Sequence, residues 1–325
     1  MSDRERADGT VPASEQRVVR CRDLDAAIAH HVGLLGFRLD MIMPADAPRV
    51  AVVSRDATVL RLEAERPATP ASDDGQTLLV SRAGENSYLR GRAGMLYRDL
   101  IPGRLGGSFI ASHIRIADGG PVPDDVHYHR VRFQMIYCRQ GWVRVVYEDQ
   151  GPPFVMHEGD CVLQPPGIRH RVLESSAGLE VIEVASPAEH ETLIDHALLL
   201  PTAVVRPERD FAGQRFVRHI AGEATWRAVD GQRLQSRDTG IAAATAGLAG
   251  VRALRLAHGA ATDPRVHDGE FLLFSILSGR ATLRLSELGD HMLDANDACV
   301  VPAGVQFALE ARPSCELLEV ALPAH

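Results

Sequence analysis

The residues best suited to chemistry form two short runs. The first, HYHRVRFQMIYCRQG, reads His127-x-His129-x4-Gln134-x6-Gly141. The second, GDCVLQPPGIRHRVLE, reads Gly159-x5-Pro165-x-Gly167-x2-His170. Residues two apart on a strand face the same side, so His127 and His129 point together into whatever that strand encloses. A Pro165–Gly167 turn redirects the chain so that His170 on a facing strand can join them. Three imidazoles converging on one point call for a divalent ion to share their lone pairs. Without an ion they would be polar groups hydrogen-bonded in the mouth of a barrel. Gln134 stands within reach, either as a weak fourth ligand or as a hydrogen-bond partner for a bound water. Three neutral imidazoles and a neutral amide leave a divalent ion its full charge, which favours an anionic, bidentate substrate: a carboxylate, enolate, catecholate or 2-oxo acid.

These two runs resemble the two signature motifs of the cupin superfamily, and the spacing agrees at every step. The resemblance implies a small double-sheet jelly roll. Cupins most often carry glutamate where this chain has Gln134. The site is therefore more similar to the three-histidine iron sites of cupin dioxygenases than to the carboxylate-bearing manganese sites of oxalate-degrading cupins. Fe(II) is the metal the resemblance implies first, with Ni, Mn, Cu or Zn as the other candidates. An iron dioxygenase would use O₂ to cleave a C–C bond of a small anion, and no residue of the motif is an obvious general base. The rivals are a redox-neutral isomerase, lyase or decarboxylase acting on a sugar acid or 2-oxo acid, and a non-catalytic small-molecule-binding protein. Arg144, Arg169 and Arg171, near the motif strands, are candidates to clamp a substrate carboxylate, against the plainer reading that they face solvent. His157 beside the Gly159 turn reads as a surface residue. The run SPAEHETLIDH, Ser186–His196, gathers Glu189, His190, Glu191, Asp195 and His196 and reads as a charged connector leaving the barrel.

The elements that must position these residues repeat along the chain. YRDL at Arg98–Asp99 recurs as SRDT at Arg237–Asp238, and MIYCRQGWVRVVYED is echoed by FSILSGRATLRLSEL. FVMHEGDCVLQPPG is echoed by HMLDANDACVVPAG, with Asn296 in place of Gly159. Asparagine tolerates positive φ, so the turn should survive. In the second copy Arg265 stands for His127, Leu272 for Gln134 and Phe307 for His170, leaving only His267 opposite His129. That copy should hold no metal.

From about Thr77 onward short strands alternate with Gly, Pro and Asp clusters, and amphipathic helices are nearly absent. The expected fold is mainly β: two tandem cupin barrels after an N-terminal α+β half-module. The expected divisions are a polar tail 1–13, a βαβββ unit 14–66, a linker 67–76 (PATPASDDGQ), a metal-bearing barrel 77–200 and a metal-free barrel 201–325. The unit 14–66, through RDLDAAIAHHVGLLGF, resembles one half-module of the glyoxalase/bleomycin-resistance superfamily. Gln16 and Glu63 occupy that superfamily's ligand places, but a complete site needs two modules and the chain encodes one. Its open sheet face needs cover, either from a second copy across a twofold axis or from the barrels.

At 325 residues, 45% hydrophobic and 24% charged, the composition is that of a globular protein of several domains. The net charge of −8 and the absence of a helix-turn-helix pattern argue against nucleic acid and a transcription factor. No apolar run is long enough to span a membrane, and the polar N-terminus lacks a signal-peptide core. Five cysteines with no CxxC suit reduced, buried thiols. These features lead to the expectation of a cytoplasmic homodimer.

Overall fold

The computed structural model describes residues 16–65, 77–85, 87–230 and 233–324. The tail 1–13 and the linker 67–76 lie outside the described residues.

The N-terminal unit begins with strand Arg17–Cys21. The Asp23 carboxylate then accepts from the Ala26 amide at 2.9 Å and caps helix Leu24–Ala29. The helix widens into a π turn over His30–Leu34, and Gly36 at φ +70° turns the chain out. Strands Arg38–Met43, Val50–Arg55 and Thr58–Ala64 follow, and the last pairs in parallel with Arg17–Cys21. One face of this sheet closes on the helix through Leu24, Phe37, Val53 and Leu62. The other face packs Met41 and Val52 against Tyr128 and Leu193 of the barrel. Within the chain, then, the barrel supplies the cover that the open face required.

The docking is more intimate than a contact. Strand Thr192–Ile194 pairs with Arg38–Met43 on one side and with His127–His129 on the other. The sheet of the N-terminal unit therefore runs on into the sheet carrying the histidines, through His170–Ser175, Trp142–Tyr147 and Phe154–His157. This overturns the reading of Ser186–His196 as a connector leaving the barrel. Its charged residues bind across the joint: Glu191 to Arg130, Asp195 to Arg169, Glu189 to Arg49, and His196 to the Leu39 carbonyl.

The facing sheet of the first barrel is built on Phe133–Gln140, flanked by Cys161–Leu163 and Leu179–Ser186. Alternation along Phe133–Gln140 divides its side chains. Ile136 and Cys138 enter the barrel core, while Phe133, Met135 and Tyr137 join a core shared with the second barrel. There Phe109 stacks on Phe271 with ring centroids 4.3 Å apart.

The second barrel repeats the plan around Phe271–Leu285 and Phe307–Leu322. The barrels also exchange strands. Leu79–Ser81 pairs with Ala298–Val300 of the second barrel, and Val217–His219 with Cys161–Leu163 of the first. A division at residue 201 thus separates the chain in sequence but gives an early strand of each half to the other barrel. The turn substitution behaves as expected, with Gly159 at φ +88° and Asn296 at +75°.

At the seam, buried Glu180 accepts from Arg115 Nε at 2.8 Å, Arg139 Nη1 at 2.6 Å and His113 Nε2 at 3.0 Å. Those bonds, His113's first, hold its carboxyl down at about 2. A depressed carboxyl stabilises the fold above its unfolded pKa, and that stability is lost as pH falls from about 4.5 to about 2. Glu180→Gln should therefore lower urea stability at pH 7 by about 3 kcal/mol. The gap to wild type should close between pH 4.5 and 2. A gap that persists at the acid end would mean that the carboxylate charge is not what stabilises the seam.

Candidate metal centre

His127 and His129 project from one face of their three-residue strand, and His127 is directly paired with His170 in the neighbouring one. All three are buried, at 1%, 7% and 4% exposure. One ring nitrogen from each lies within 4.8 Å of the others. Outer hydrogen bonds fix the rings. Nδ1–H of His127 donates to the Asp125 carbonyl at 2.8 Å and that of His170 to the Ile168 carbonyl at 3.0 Å, while His129 Nδ1 hydrogen-bonds the Thr192 hydroxyl at 3.0 Å. With each Nδ1 engaged outward, each Nε2 presents its lone pair to the centre, which is the tautomer a metal requires. Burial lowers the pKa of all three, His170 to about 4, so the imidazoles stay neutral.

Gln134 faces the same space. Its Nε2 donates to Glu183 Oε1 at 2.5 Å, while its own Oε1 is buried with no partner. A buried amide oxygen left bare is costly. Together with the converging Nε2 atoms of the three histidines, it fits a divalent cation. Tyr147 stacks on the His170 ring, its hydroxyl accepting from Gln164 Nε2 at 2.8 Å. Gly141, which closes the first motif, sits at φ +80°, where a Cβ would collide with Ser176 Oγ.

The arginines proposed from sequence lie elsewhere. Arg144 is half exposed and paired with Glu174 at 3.0 Å. Arg169 covers Tyr128 and binds Asp195, and Arg171 is exposed. None of the three lines the cavity. The guanidinium that enters it belongs to Arg92, whose Nη2 donates to His127 Nε2 at 2.9 Å and whose Nη1 pairs with buried Asp124. The Arg92 amide donates to the Ala45 carbonyl, and Ala45 itself lines the cavity, so the N-terminal unit helps to form the site. His157 is exposed, as expected.

Sequence reasoning also missed Glu183, although a signal was present. VIEVA at 181–185 and LLEVA at 317–321 each set one glutamate in an apolar strand. Glu183 is half-buried in the cavity wall, and its desolvation there raises its pKa to about 7. Its counterpart Glu319 is bound by Arg252 and Arg265. Arg265 bridges to Phe307 as His127 does to His170, with its guanidinium 5.0 Å over the Phe307 ring. A cation–π contact and a salt bridge thus replace the ligands of the first barrel. The triad His127, His129 and His170 is the metal-capable His/Cys/Asp/Glu cluster found among the described residues.

Residues 112–184 match the family model described as a cupin domain. That segment contains His127, His129, Gln134 and His170. No curated protein matches the sequence significantly. Among solved structures, a mutant oxalate decarboxylase from Bacillus subtilis superposes with a TM-score of 0.56 at 14% identity, over 76% of this chain and 78% of that one. The oxalate decarboxylase formate complex from Lactobacillus farciminis gives 0.58 at 13%, over 76% and 87%. A mutant salicylate 1,2-dioxygenase from Pseudoaminobacter salicylatoxidans gives 0.54 at 14%, over 78% and 86%. At such identities the likeness is one of fold, and the fold is the cupin jelly roll.

Proposed function

We propose that the protein is a metal-dependent enzyme acting on a small acid with an apolar body, and that it is an Fe(II) dioxygenase cleaving a C–C bond with O₂. The observation that carries this reading is the contrast within one cavity of about 90 Å³. Its polar groups gather at His127, His129, His170, Gln134, Glu183 and Arg92, while the remaining wall is largely Ile, Val, Leu and Met. Oxalate has no apolar surface to match such a wall. An aromatic acid or diketone enolate has one.

His127, His129 and His170 would hold the ion, with Gln134 Oε1 as a fourth donor. When bound, the metal supplies Lewis acidity toward an anionic oxygen and, as iron, electron exchange with O₂. The neutral donor set leaves the positive charge for the substrate to satisfy. Arg92 stands beside the centre to pair with a substrate carboxylate. The His127 Nε2 lone pair can serve either Arg92 or a metal. The guanidinium is therefore released for substrate once the lone pair is engaged. The apolar wall excludes water and orients the body of the acid.

One observation favours a redox-neutral second reading: Glu183 is a half-buried carboxyl in the cavity wall suited to proton transfer, as in a decarboxylase or isomerase. Oxygen separates the two. The enzyme loaded with iron, given aromatic acids, 1,3-diketones and oxalate, should consume O₂ in step with substrate and stop under argon. Turnover that continues without O₂ assigns lyase or isomerase chemistry. Saturable binding with no turnover in either atmosphere would leave a binding protein.

A further inference from the structure

A second cavity, of about 310 Å³, lies at the seam between the barrels, away from the histidines. It arises where the internal repeat departs from its own symmetry. Arg98 and Arg237 are equivalent: Arg98 is paired in register with His113, and Arg237 with Ala253. Each reaches across the seam to the matching turn of the other barrel. Arg98 Nη2 donates to the Asn296 carbonyl at 2.8 Å, and Arg237 Nη2 to the Gly159 carbonyl at 3.5 Å.

Beyond that clasp the two differ. Arg98 has further acceptors in the Arg82 carbonyl at 3.5 Å and His113 Nδ1 at 3.3 Å, and His113 in turn binds Glu180. Beside Arg237 the equivalent position is Ala253, which offers no acceptor. Arg237 is only 6% exposed, its Nε has no partner, and no carboxylate among the described residues is within ion-pair distance. Trp226 lies 4.7 Å from its guanidinium carbon and covers one face. A buried charge without a counter-charge is among the costliest features a fold can carry.

Arg237 lines this cavity. Its other cations are already compensated, Arg139 by Glu180 at 2.6 Å and Arg255 by Glu316 at 2.8 Å. Arg139 nevertheless keeps a buried Nε without a partner, and the Tyr137 side chain lines the wall. Glu158 also lines the cavity, but it is exposed to water and makes no pair with Arg237. One uncompensated, fork-shaped cation with spare N–H donors matches a planar monoanion.

We propose that this seam cavity binds a small carboxylate-bearing molecule, with its carboxylate paired to Arg237. The site is independent of the metal centre, because it draws its residues from both barrels and from none of the histidines.

Benzoate and inorganic phosphate are the probes, titrated calorimetrically at constant ionic strength into wild type and into His127→Ala/His170→Ala. Benzoate should bind the histidine variant saturably at one per chain and raise its melting temperature. Ser278→Asp, at an exposed position on the cavity wall, supplies the missing carboxylate and should weaken that binding at least tenfold without loss of fold. Glu158→Gln, also exposed, should strengthen it several-fold. Arg237→Gln should abolish it. Benzoate binding that vanishes in the histidine variant belongs to the metal pocket and overturns the proposal. Binding unmoved by Ser278→Asp, or phosphate binding more tightly than benzoate, overturns it as well.

Discussion

His127→Ala combined with His170→Ala should strip the protein of its metal. Purified without added salts, wild type should carry about one divalent ion per chain and the variant less than about a tenth of that. The reasoning is geometric. Two of three converging Nε2 donors disappear, and His129 with Gln134 Oε1 cannot hold an ion against water. Both replacements leave the outer acceptors Asp125 and Ile168 as backbone carbonyls, so no buried charge is stranded. A second readout follows from linkage. An ion present at a hundred times its dissociation constant stabilises the native state by about 2.7 kcal/mol. A chelator should therefore lower the wild-type melting temperature by several degrees and leave the variant unmoved. Iron in the wild-type sample would support the oxygenase reading. A wild type that neither holds nor takes up any divalent ion would remove the basis of the proposed chemistry.

Much of this site could be read from sequence because its logic is local. His127 and His129 share a strand face by period two, and the turn before His170 is marked by Pro165 and Gly167. The repeat was legible for the same reason, down to Asn296 keeping the positive φ of Gly159. What escaped was non-local. Arg92 lies in a single turn, Arg92–Gly94, with no periodic pattern around it. It reaches the metal centre only because the N-terminal unit holds its backbone through Ala45. Arg144, Arg169 and Arg171 are near in sequence, but each is spent on a partner or on solvent, which spacing alone does not reveal. The strand Thr192–Ile194 is three residues in a charged run, too short to register as a strand. Its neighbours on both sides create it. The reciprocal exchange of Leu79–Ser81 and Val217–His219 is likewise a property of two barrels meeting.

Glu183→Gln should separate positioning from proton transfer at the one carboxyl in the cavity wall. The glutamate accepts from Gln134 Nε2, and glutamine can offer its own Oε1 to the same amide. The variant should therefore keep Gln134 aimed at the centre and keep its full metal content. What it cannot do is take up or return a proton. If Glu183 moves a proton to or from the substrate, kcat should fall by a factor of about 10²–10⁴ with little change in KM. Glu183→Ala should go further: it leaves the Gln134 amide unpaired beside the metal, so that metal affinity weakens along with turnover. The ordering of the two variants is the diagnostic. Equal loss of metal in both would make Glu183 a positioning residue acting through Gln134. Wild-type turnover in Glu183→Gln with full metal content would show that the reaction proceeds without a protein acid or base. In that case the chemistry rests on the metal and O₂, and the redox-neutral reading loses the residue that supports it.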